Sequence, residues 1–198
     1  MPIRIPQSVY LCRMTGRHIL RLIRPEHWVK NLFVFIPAFF AARLTEWPVL
    51  KGALLGFFSF SLVASAVYVL NDLVDAAQDR NHPDKRLRPI ASGAVSTRQA
   101  IATLVIFLGA GTLIAAFLSR DMLIFSLLYF IINVFYSFSL KHIALVDISL
   151  IGFGFLLRVF AGGAVTGVDV SQWLIVMTFL LALILGLAKR RGEYVVAT

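Results

Sequence analysis

Four of the ten acidic residues in this 198-residue sequence, Asp72, Asp75, Asp79 and Asp84, fall within thirteen positions. Three of them sit in the run Asn71-Asp72-Leu73-Val74-Asp75-Ala76-Ala77-Gln78-Asp79. On a helix turning about 100° per residue, positions 72, 75 and 79 fall within an arc of roughly 60°. Carboxylates so placed repel one another unless a cation sits among them. Oxygen-only ligands with room for water suit Mg²⁺ bridging to phosphate oxygens. The competing chemistry is a solvated helix end whose acids pair with Arg80, Lys85 and Arg86.

A proline-bounded stretch follows, His82-Pro83-Asp84-Lys85-Arg86-Leu87-Arg88-Pro89-Ile90-Ala91-Ser92-Gly93. Cations beside a metal site complete a phosphate clamp, and the planar guanidinium fork matches phosphate oxygens. By itself such a run is a topology signal; next to the aspartates it reads as a clamp. His82 has no second histidine nearby, so a loop histidine and a ligand-binding one both remain open. Farther on, Tyr129, Asn133 and Tyr136 share one face of an otherwise apolar segment. Asp147 and Arg158 return to nearly the same angular position with Gly154 between them, but about 16 Å of helix separates them. They cannot pair directly, and Arg158 needs either another ion partner or a phosphate. The segment Lys189-Arg190-Arg191-Gly192-Glu193 is placed to close the mouth of a shared cavity.

The elements that must hold these groups are membrane helices. With 59% hydrophobic and 15% charged residues and a mean hydropathy of +0.84, a soluble globule is excluded. The net charge of +9 sits in islands between apolar runs, which argues for anchoring at a membrane face and against nucleic acid. Cys12 is the single cysteine, so an intrachain disulfide and a cysteine-based zinc site drop out. Since about 20 apolar residues cross the hydrocarbon, residues 52–70, 100–118, 122–140 and 173–188 read as spans, with Trp173 as an interface anchor. Residues 28–42, interrupted by Pro37, and 148–165, carrying Arg158, complete six. The expected fold is therefore all-α, a polytopic bundle of about six transmembrane helices forming one domain over 1–198. Fifteen of the nineteen cations fall on the amino-terminal side, against Arg43, Lys51 and Arg120 opposite and Arg158 within the membrane. The positive-inside rule makes the larger set cytoplasmic, with both termini and the 71–98 Asp-rich and basic loop on that side of the cell membrane. In residues 1–24, Arg13, Arg17, Arg21 and Arg24 share a face opposite Leu11, Ile19, Leu22 and Ile23, the pattern of an interfacial amphipathic helix rather than a cleaved leader.

The set Asn71, Asp72, Asp75 and Asp79 resembles the first motif, N-D-x-x-D-x-x-x-D, of the UbiA-type superfamily of intramembrane prenyltransferases. More narrowly, the sequence resembles that superfamily's polyprenyl-phosphate 5-phosphoribosyltransferase branch. The supporting residues are Arg24-Pro25 with Trp28-Val29-Lys30-Asn31, Asp79-Arg80 with His82-Pro83 and Lys85-Arg86, and Arg88-Pro89-Ile90-Ala91-Ser92-Gly93. Tyr136-Ser137 with Leu140-Lys141, Asp147, Leu157-Arg158 with Ala161-Gly162, and Lys189-Arg190 with Glu193 extend the likeness over about 24–193. The resemblance implies that phosphoribose passes from 5-phosphoribosyl diphosphate to a polyprenyl phosphate, releasing diphosphate, with Mg²⁺ as cofactor at the cytoplasmic face. It implies metal ligation by Asp72, Asp75 and Asp79, a catalytic part for Asn71, and donor-phosphate contacts from Lys85, Arg86 and Arg88. Lys30, Lys141 and Arg158 are the implied further phosphate contacts, and Asn31, Tyr136, Lys189, Arg190 and Glu193 the remaining substrate-binding positions.

Superfamily members that transfer prenyl groups usually carry a second aspartate motif after the sixth span, where this sequence reads Lys189-Arg190-Arg191-Gly192-Glu193. That favours the phosphoribosyl branch. The rival enzyme moves a prenyl group from a prenyl diphosphate to an aromatic acceptor, using the same first motif because diphosphate leaves in both reactions. The superfamily typically has nine spans and six are expected here, so an inactive truncated remnant is a third reading. A CDP-alcohol phosphotransferase is disfavoured because Ala76-Ala77-Gln78 follows Asp75, and a transporter because no inverted repeat is visible. Membrane, lipid phosphate and sugar diphosphate are the expected partners, and a homo-oligomer is compatible with the sequence.

Overall fold

The computed structural model describes residues 16–138 and 144–197, with side chains described for 16–138 and 149–188. Among them the chain forms seven α-helices and two 3-10 helices and no strand. The order is α1 (Gly16–Ile23), a 3-10 segment (Pro25–Phe35), α2 (Ile36–Phe40), α3 (Trp47–Asp79) and a 3-10 turn (Lys85–Leu87). Then come α4 (Thr97–Leu118), α5 (Arg120–Phe138), α6 (Ala144–Thr166) and α7 (Gln172–Ala197).

α3 is the axis of the bundle, packed against α1, the 3-10 segment, α4, α5 and α6. Its buried residues explain why: Ala53, Gly56, Ser59, Ser61, Ala64, Ser65 and Ala66 leave backbones free to approach, and Phe60, Val63 and Val67 fill the remaining space. In a lipid solvent such small-residue faces replace hydrophobic exclusion as the means of holding helices together. Ser59 donates its hydroxyl to the Gly111 carbonyl of α4 at 2.8 Å. On α6, a β-carbon at Gly162 would lie 2.1 Å from the Val34 carbonyl, so only glycine permits α6 to touch the 3-10 segment there. The outward faces are apolar; Val105, Ile106, Leu113 and Phe117 of α4 are all exposed.

Four helical stretches are long and apolar enough to cross a membrane: Trp47–Asp79, Thr97–Leu118, Arg120–Phe138 and Ser149–Thr166. The apolar part of α7, Gln172–Ala188, is shorter. Residues 28–42 depart from the expected single span. They form the eleven-residue 3-10 segment, then α2, then a turn in which Ala42 has φ 53°. Pro37, placed in the first turn of α2, has no N–H to give and its ring excludes the carbonyl four residues back, so no continuous α-helix runs through it. The 3-10 winding also lengthens the chain, since a rise of about 2.0 Å per residue carries eleven residues roughly 22 Å. Side-chain bonds pin the segment to α3: Trp28 Nε1 donates to Ser65 Oγ and Asn31 Nδ2 to Ser61 Oγ, each at 2.9 Å.

The amino-terminal amphipathic helix is described as α1 alone; Leu11 and Arg13 lie outside the described residues. Arg17 and Arg21 are exposed as expected. Leu22, however, is fully buried against Val69, Ile90, Val95 and Ala100, so α1 is docked onto the bundle rather than laid loosely on a surface. The 71–98 region is likewise not all loop, because α3 stays helical to Asp79 and α4 begins at Thr97. Ser96 closes that connection with a capping box, its hydroxyl accepting from the Gln99 N–H while Gln99 Oε1 accepts from the Ser96 N–H.

Candidate active site at the end of the central helix

The last two turns of α3 bring Asp72, Asp75 and Asp79 to one end of the bundle, as their spacing required. Asp72 is 1% exposed and Asp79 4%, whereas Asp75 is half-buried. Buried carboxylates need counter-charge or hydrogen bonds, and here arginines from two other elements supply it. Arg24 Nη2 donates to Asp72 Oδ1 at 2.6 Å. Arg88 Nη1 lies 2.8 Å from Asp79 Oδ2 and 3.3 Å from Asp72 Oδ1, tying together two acids that are two helical turns apart. The expected alternative pairing with Arg80, Lys85 and Arg86 is not formed in this way. Arg80 Nε donates to the Ala91 carbonyl at 3.4 Å, and Lys85 and Arg86 are exposed on the 3-10 turn.

Arg24 is the residue that sequence reasoning left out of the site. It follows the last residue of α1 with φ 50° and ψ 64°, a left-handed conformation that a non-glycine residue holds only when its surroundings fix it. The Asp72 ion pair is one such constraint, and Tyr68 is another, its ring centroid 5.4 Å from the guanidinium carbon. The Arg24-Pro25 pair was the available signal, since Pro25 begins the 3-10 segment and forces the chain to leave α1 at Arg24.

Two cavities meet at the Asn71–Asp72 step. Asp72 lines an open cleft of about 740 Å³ together with Arg21, Arg24, Glu26, His27, Asp84 and Arg88. That volume lies in the range of about 300–1,000 Å³ usual for small-molecule sites. Asn71 lines a second cavity, of about 140 Å³, together with Lys30, Tyr68, Tyr129, Asn133, Tyr136 and Arg158. Ser137 of α5 donates its hydroxyl to Asn71 Oδ1, which fixes the amide at the boundary. Tyr129, Asn133 and Tyr136 thus share a cavity as their spacing indicated, although only Tyr136 of the three was singled out for substrate. Arg158 finds neutral partners, among them Asn31, rather than an ion pair within the described residues. His82 accepts the Asp84 and Lys85 N–H groups at 3.2 and 3.4 Å, so its Nδ1 serves the turn. Lys141 lies outside the described residues, as do the side chains of Asp147, Lys189, Arg190 and Glu193.

Does this donor set suit magnesium? Its oxygens are of the right kind, and Asp72 Oδ2 is buried without a hydrogen-bond partner, a hard ligand left unused. Among the described residues, however, no three carboxylate, histidine or cysteine side chains stand close enough to hold a metal. The arginines take the places a cation would take. The residues fit the ion in chemistry, and the arrangement seen is the arginine-compensated one.

The chain is similar to decaprenyl-phosphate phosphoribosyltransferase of Mycobacterium tuberculosis, at 36% identity over 180 residues, covering 88% of this chain and 59% of that protein. It is 29% identical over 171 residues to nodulation protein NoeC of Azorhizobium caulinodans, covering 86% of this chain and 55% of that one. Its fold matches the structure of a UbiA homolog from Archaeoglobus fulgidus bound to GPP and Mg²⁺ with a TM-score of 0.77 and 25% identity, over 89% of this chain and 64% of that one. The chain therefore spans somewhat more than half the length of these relatives. The UbiA prenyltransferase family model matches residues 31–190, from the 3-10 segment into α7, and the chain belongs to that family.

Proposed function

We propose that the chain forms the diphosphate-handling part of a Mg²⁺-dependent transferase that moves 5-phosphoribose from 5-phosphoribosyl diphosphate to a polyprenyl phosphate at the cytoplasmic membrane face. The observation that carries this reading is the open cleft in which Arg21, Arg24 and Arg88 stand beside Asp72. A water-soluble polyanion reaches such a site directly. The relatives named as phosphoribosyltransferases support the same choice of donor.

Magnesium held by Asp72, Asp75 and Asp79 would supply charge neutralisation for a departing diphosphate. The chain's own groups do the rest. Arg88, partly exposed and facing two carboxylates, is placed to exchange an acid for a phosphate oxygen, and Arg24, on the same Asp72 oxygen, to do the same. As the bond from ribose C1 to diphosphate oxygen breaks and one from lipid phosphate oxygen to C1 forms, negative charge grows on the leaving group, where these guanidinium groups can stabilise it. The attacking oxygen is already anionic, so positioning rather than deprotonation is required. Asn71, fixed by Ser137 at the edge of the polar cavity, is oriented to contact the sugar.

The test is transfer of label from 5-[³²P]phosphoribosyl diphosphate into butanol-extractable lipid by membranes carrying the full-length gene product, with and without Mg²⁺. Mg²⁺-dependent labelling is expected. No label from this donor, with a prenyl diphosphate labelling an aromatic acceptor instead, would overturn the donor assignment.

A further inference from the structure

The open cleft beside Asp72 also holds two acids that its arginines leave alone. Glu26, in the first turn of the 3-10 segment, and Asp84, immediately before the 3-10 turn, line it together with Arg21, Arg24 and Arg88. Arg24 and Arg88 pair with Asp72 and Asp79, and among the described residues none of the three arginines comes within ion-pair distance of Glu26 or Asp84. In a cleft that seats a diphosphate these acids are unfavourable, because like charges repel. An acid in the first turn suits the helix dipole. That accounts for Glu26 along the chain but not for a carboxylate opening on this cleft. The repulsion is offset where a ligand brings hydrogen-bond donors to the carboxylate as well as negative charge to the arginines.

The two acids differ in how firmly they are held. Asp84 belongs to a run that is exposed from Asn81 to Leu87. Glu26 stands between Arg24, tied to Asp72, and Trp28, whose Nε1 donates to Ser65 Oγ at 2.9 Å. Its neighbour His27 also lines the cleft and rests against Tyr68, with ring centroids 5.2 Å apart and planes inclined by 38°. Among the described residues neither ring nitrogen of His27 is engaged by a hydrogen bond. A carboxylate offers two acceptor oxygens, and a neutral imidazole one donor and one acceptor. Two adjacent hydroxyl groups match that set: both can donate to the carboxylate while one also bonds to the imidazole. Dinucleotide-binding folds hold a ribose hydroxyl with a carboxylate by the same chemistry. A prenyl chain brings only C–H groups and would leave the Glu26 carboxylate without a donor.

We propose that Glu26 and His27 form a subsite for the adjacent hydroxyl groups of a ribose phosphate, so that this edge of the cleft selects the sugar while the arginines hold its phosphates. The inference rests on the phosphoribosyl reading for the identity of the ligand. It concerns binding alone, since no bond is made or broken at either residue.

Calorimetric titrations of the purified full-length protein in detergent test this without turnover, with ribose 5-phosphate, 2-deoxyribose 5-phosphate and magnesium diphosphate as probes. Ribose 5-phosphate should bind roughly tenfold or more tighter than its 2-deoxy counterpart, because a site that hydrogen-bonds a hydroxyl rejects the analogue lacking it. Glu26→Gln and His27→Phe should each cut that ratio below about threefold, the phenyl ring keeping the contact with Tyr68. Diphosphate should bind Glu26→Gln as tightly as the wild type or more tightly, since a like charge has gone. Damage to the fold would weaken it instead. Asp84→Asn removes the same charge from the exposed turn and should leave the ribose preference unchanged. Failure of both sugar phosphates to bind, equal affinity for the two, a ratio unchanged in Glu26→Gln and His27→Phe, or an equal fall in Asp84→Asn would overturn the proposal. The lipid-labelling assay keeps the two readings apart. Labelled lipid from a protein that does not distinguish the sugars retains the donor assignment and removes the subsite; a ribose preference in a protein without transfer retains the subsite and removes the donor assignment.

Discussion

Arg24 and Asp72 are 48 residues apart in sequence and 2.6 Å apart in space, and their ion pair ties the end of α1 to the end of α3. Asp72 is almost wholly buried while Arg24 keeps partial access to the cleft. The pair is therefore asymmetric: losing the arginine strands a buried carboxylate, whereas losing the carboxylate frees an arginine that can reach water. Breaking a buried pair from one side costs about 3–5 kcal/mol. Arg88, at 3.3 Å from the same oxygen, brings the expected cost to the lower end of that range. Arg24→Ala should lower the thermal midpoint in detergent more than Asp72→Asn does. The double variant should be less impaired than the sum of the two, the sign of a direct coupling. Strict additivity would show that the contact contributes nothing to stability.

Arg88 touches both buried acids, while Lys85 and Arg86 lie exposed on the preceding turn. Under the proposed reaction, Arg88→Lys leaves a point charge where Nη1 of a planar guanidinium served two carboxylates and its remaining N–H groups were available to phosphate oxygens. Transfer into lipid should fall roughly 10- to 100-fold, a transition-state loss of about 1.4–2.7 kcal/mol. Lys85→Gln and Arg86→Gln should each alter it by less than about threefold, as expected for exposed charges. Initial rates at saturating donor decide the matter; equal losses in all three variants would mean that the basic stretch acts only through its overall charge.

His27, in the first turn of the 3-10 segment, borders the cleft with its ring 5.2 Å from that of Tyr68. Burial, followed by the charge of Lys30, outweighs the opposing pull of Glu26 and, with Arg24 adding to the effect, holds the imidazole below its ordinary 6.5. The folded chain thus keeps His27 neutral where an unfolded chain has begun to bind a proton. Stability is fully present above about 6.5 and is lost as pH falls through that value toward the lower folded one. Melting curves between pH 8 and pH 5 should show a falling midpoint, and His27→Gln should flatten part of the slope. An unchanged slope in the variant would assign the acid sensitivity to other groups.

What the sequence made legible follows from local periodicity. The spacing of Asp72, Asp75 and Asp79 placed them together because a helix turns at a fixed rate, and α3 does continue to Asp79. The apolar runs from 52 onward became helices for the same reason. Arg24 was hidden because an arginine at helical spacing with Arg17 and Arg21 reads as part of a charged face, and nothing local reveals a partner on another helix. The neutral cage of Arg158 was hidden too, since Asn31 lies 127 positions away. The 3-10 winding of Pro25–Phe35 escaped because it is imposed by tertiary contacts, with Ser61 and Ser65 of α3 on one side and Gly162 of α6 on the other.

The approach of α6 to the 3-10 segment gives the sharpest steric prediction. A β-carbon at Gly162 would sit 2.1 Å from the Val34 carbonyl oxygen and 2.8 Å from its carbon, both backbone atoms that no rotamer change can move. Gly162→Ala must push the two elements apart, and overpacking of this kind costs roughly 1–3 kcal/mol. The displacement also pulls on the hydrogen bond between Asn31 and Arg158, which come from these same two elements. Gly109 of α4 is the matched control: a β-carbon there meets nothing within 4 Å. Gly109→Ala should raise helix stability by roughly 0.5–1 kcal/mol through backbone entropy alone. Paired melting curves in detergent should therefore move in opposite directions. A Gly162→Ala variant that melts like the wild type would mean that the close approach of α6 to Val34 contributes nothing to holding the bundle together.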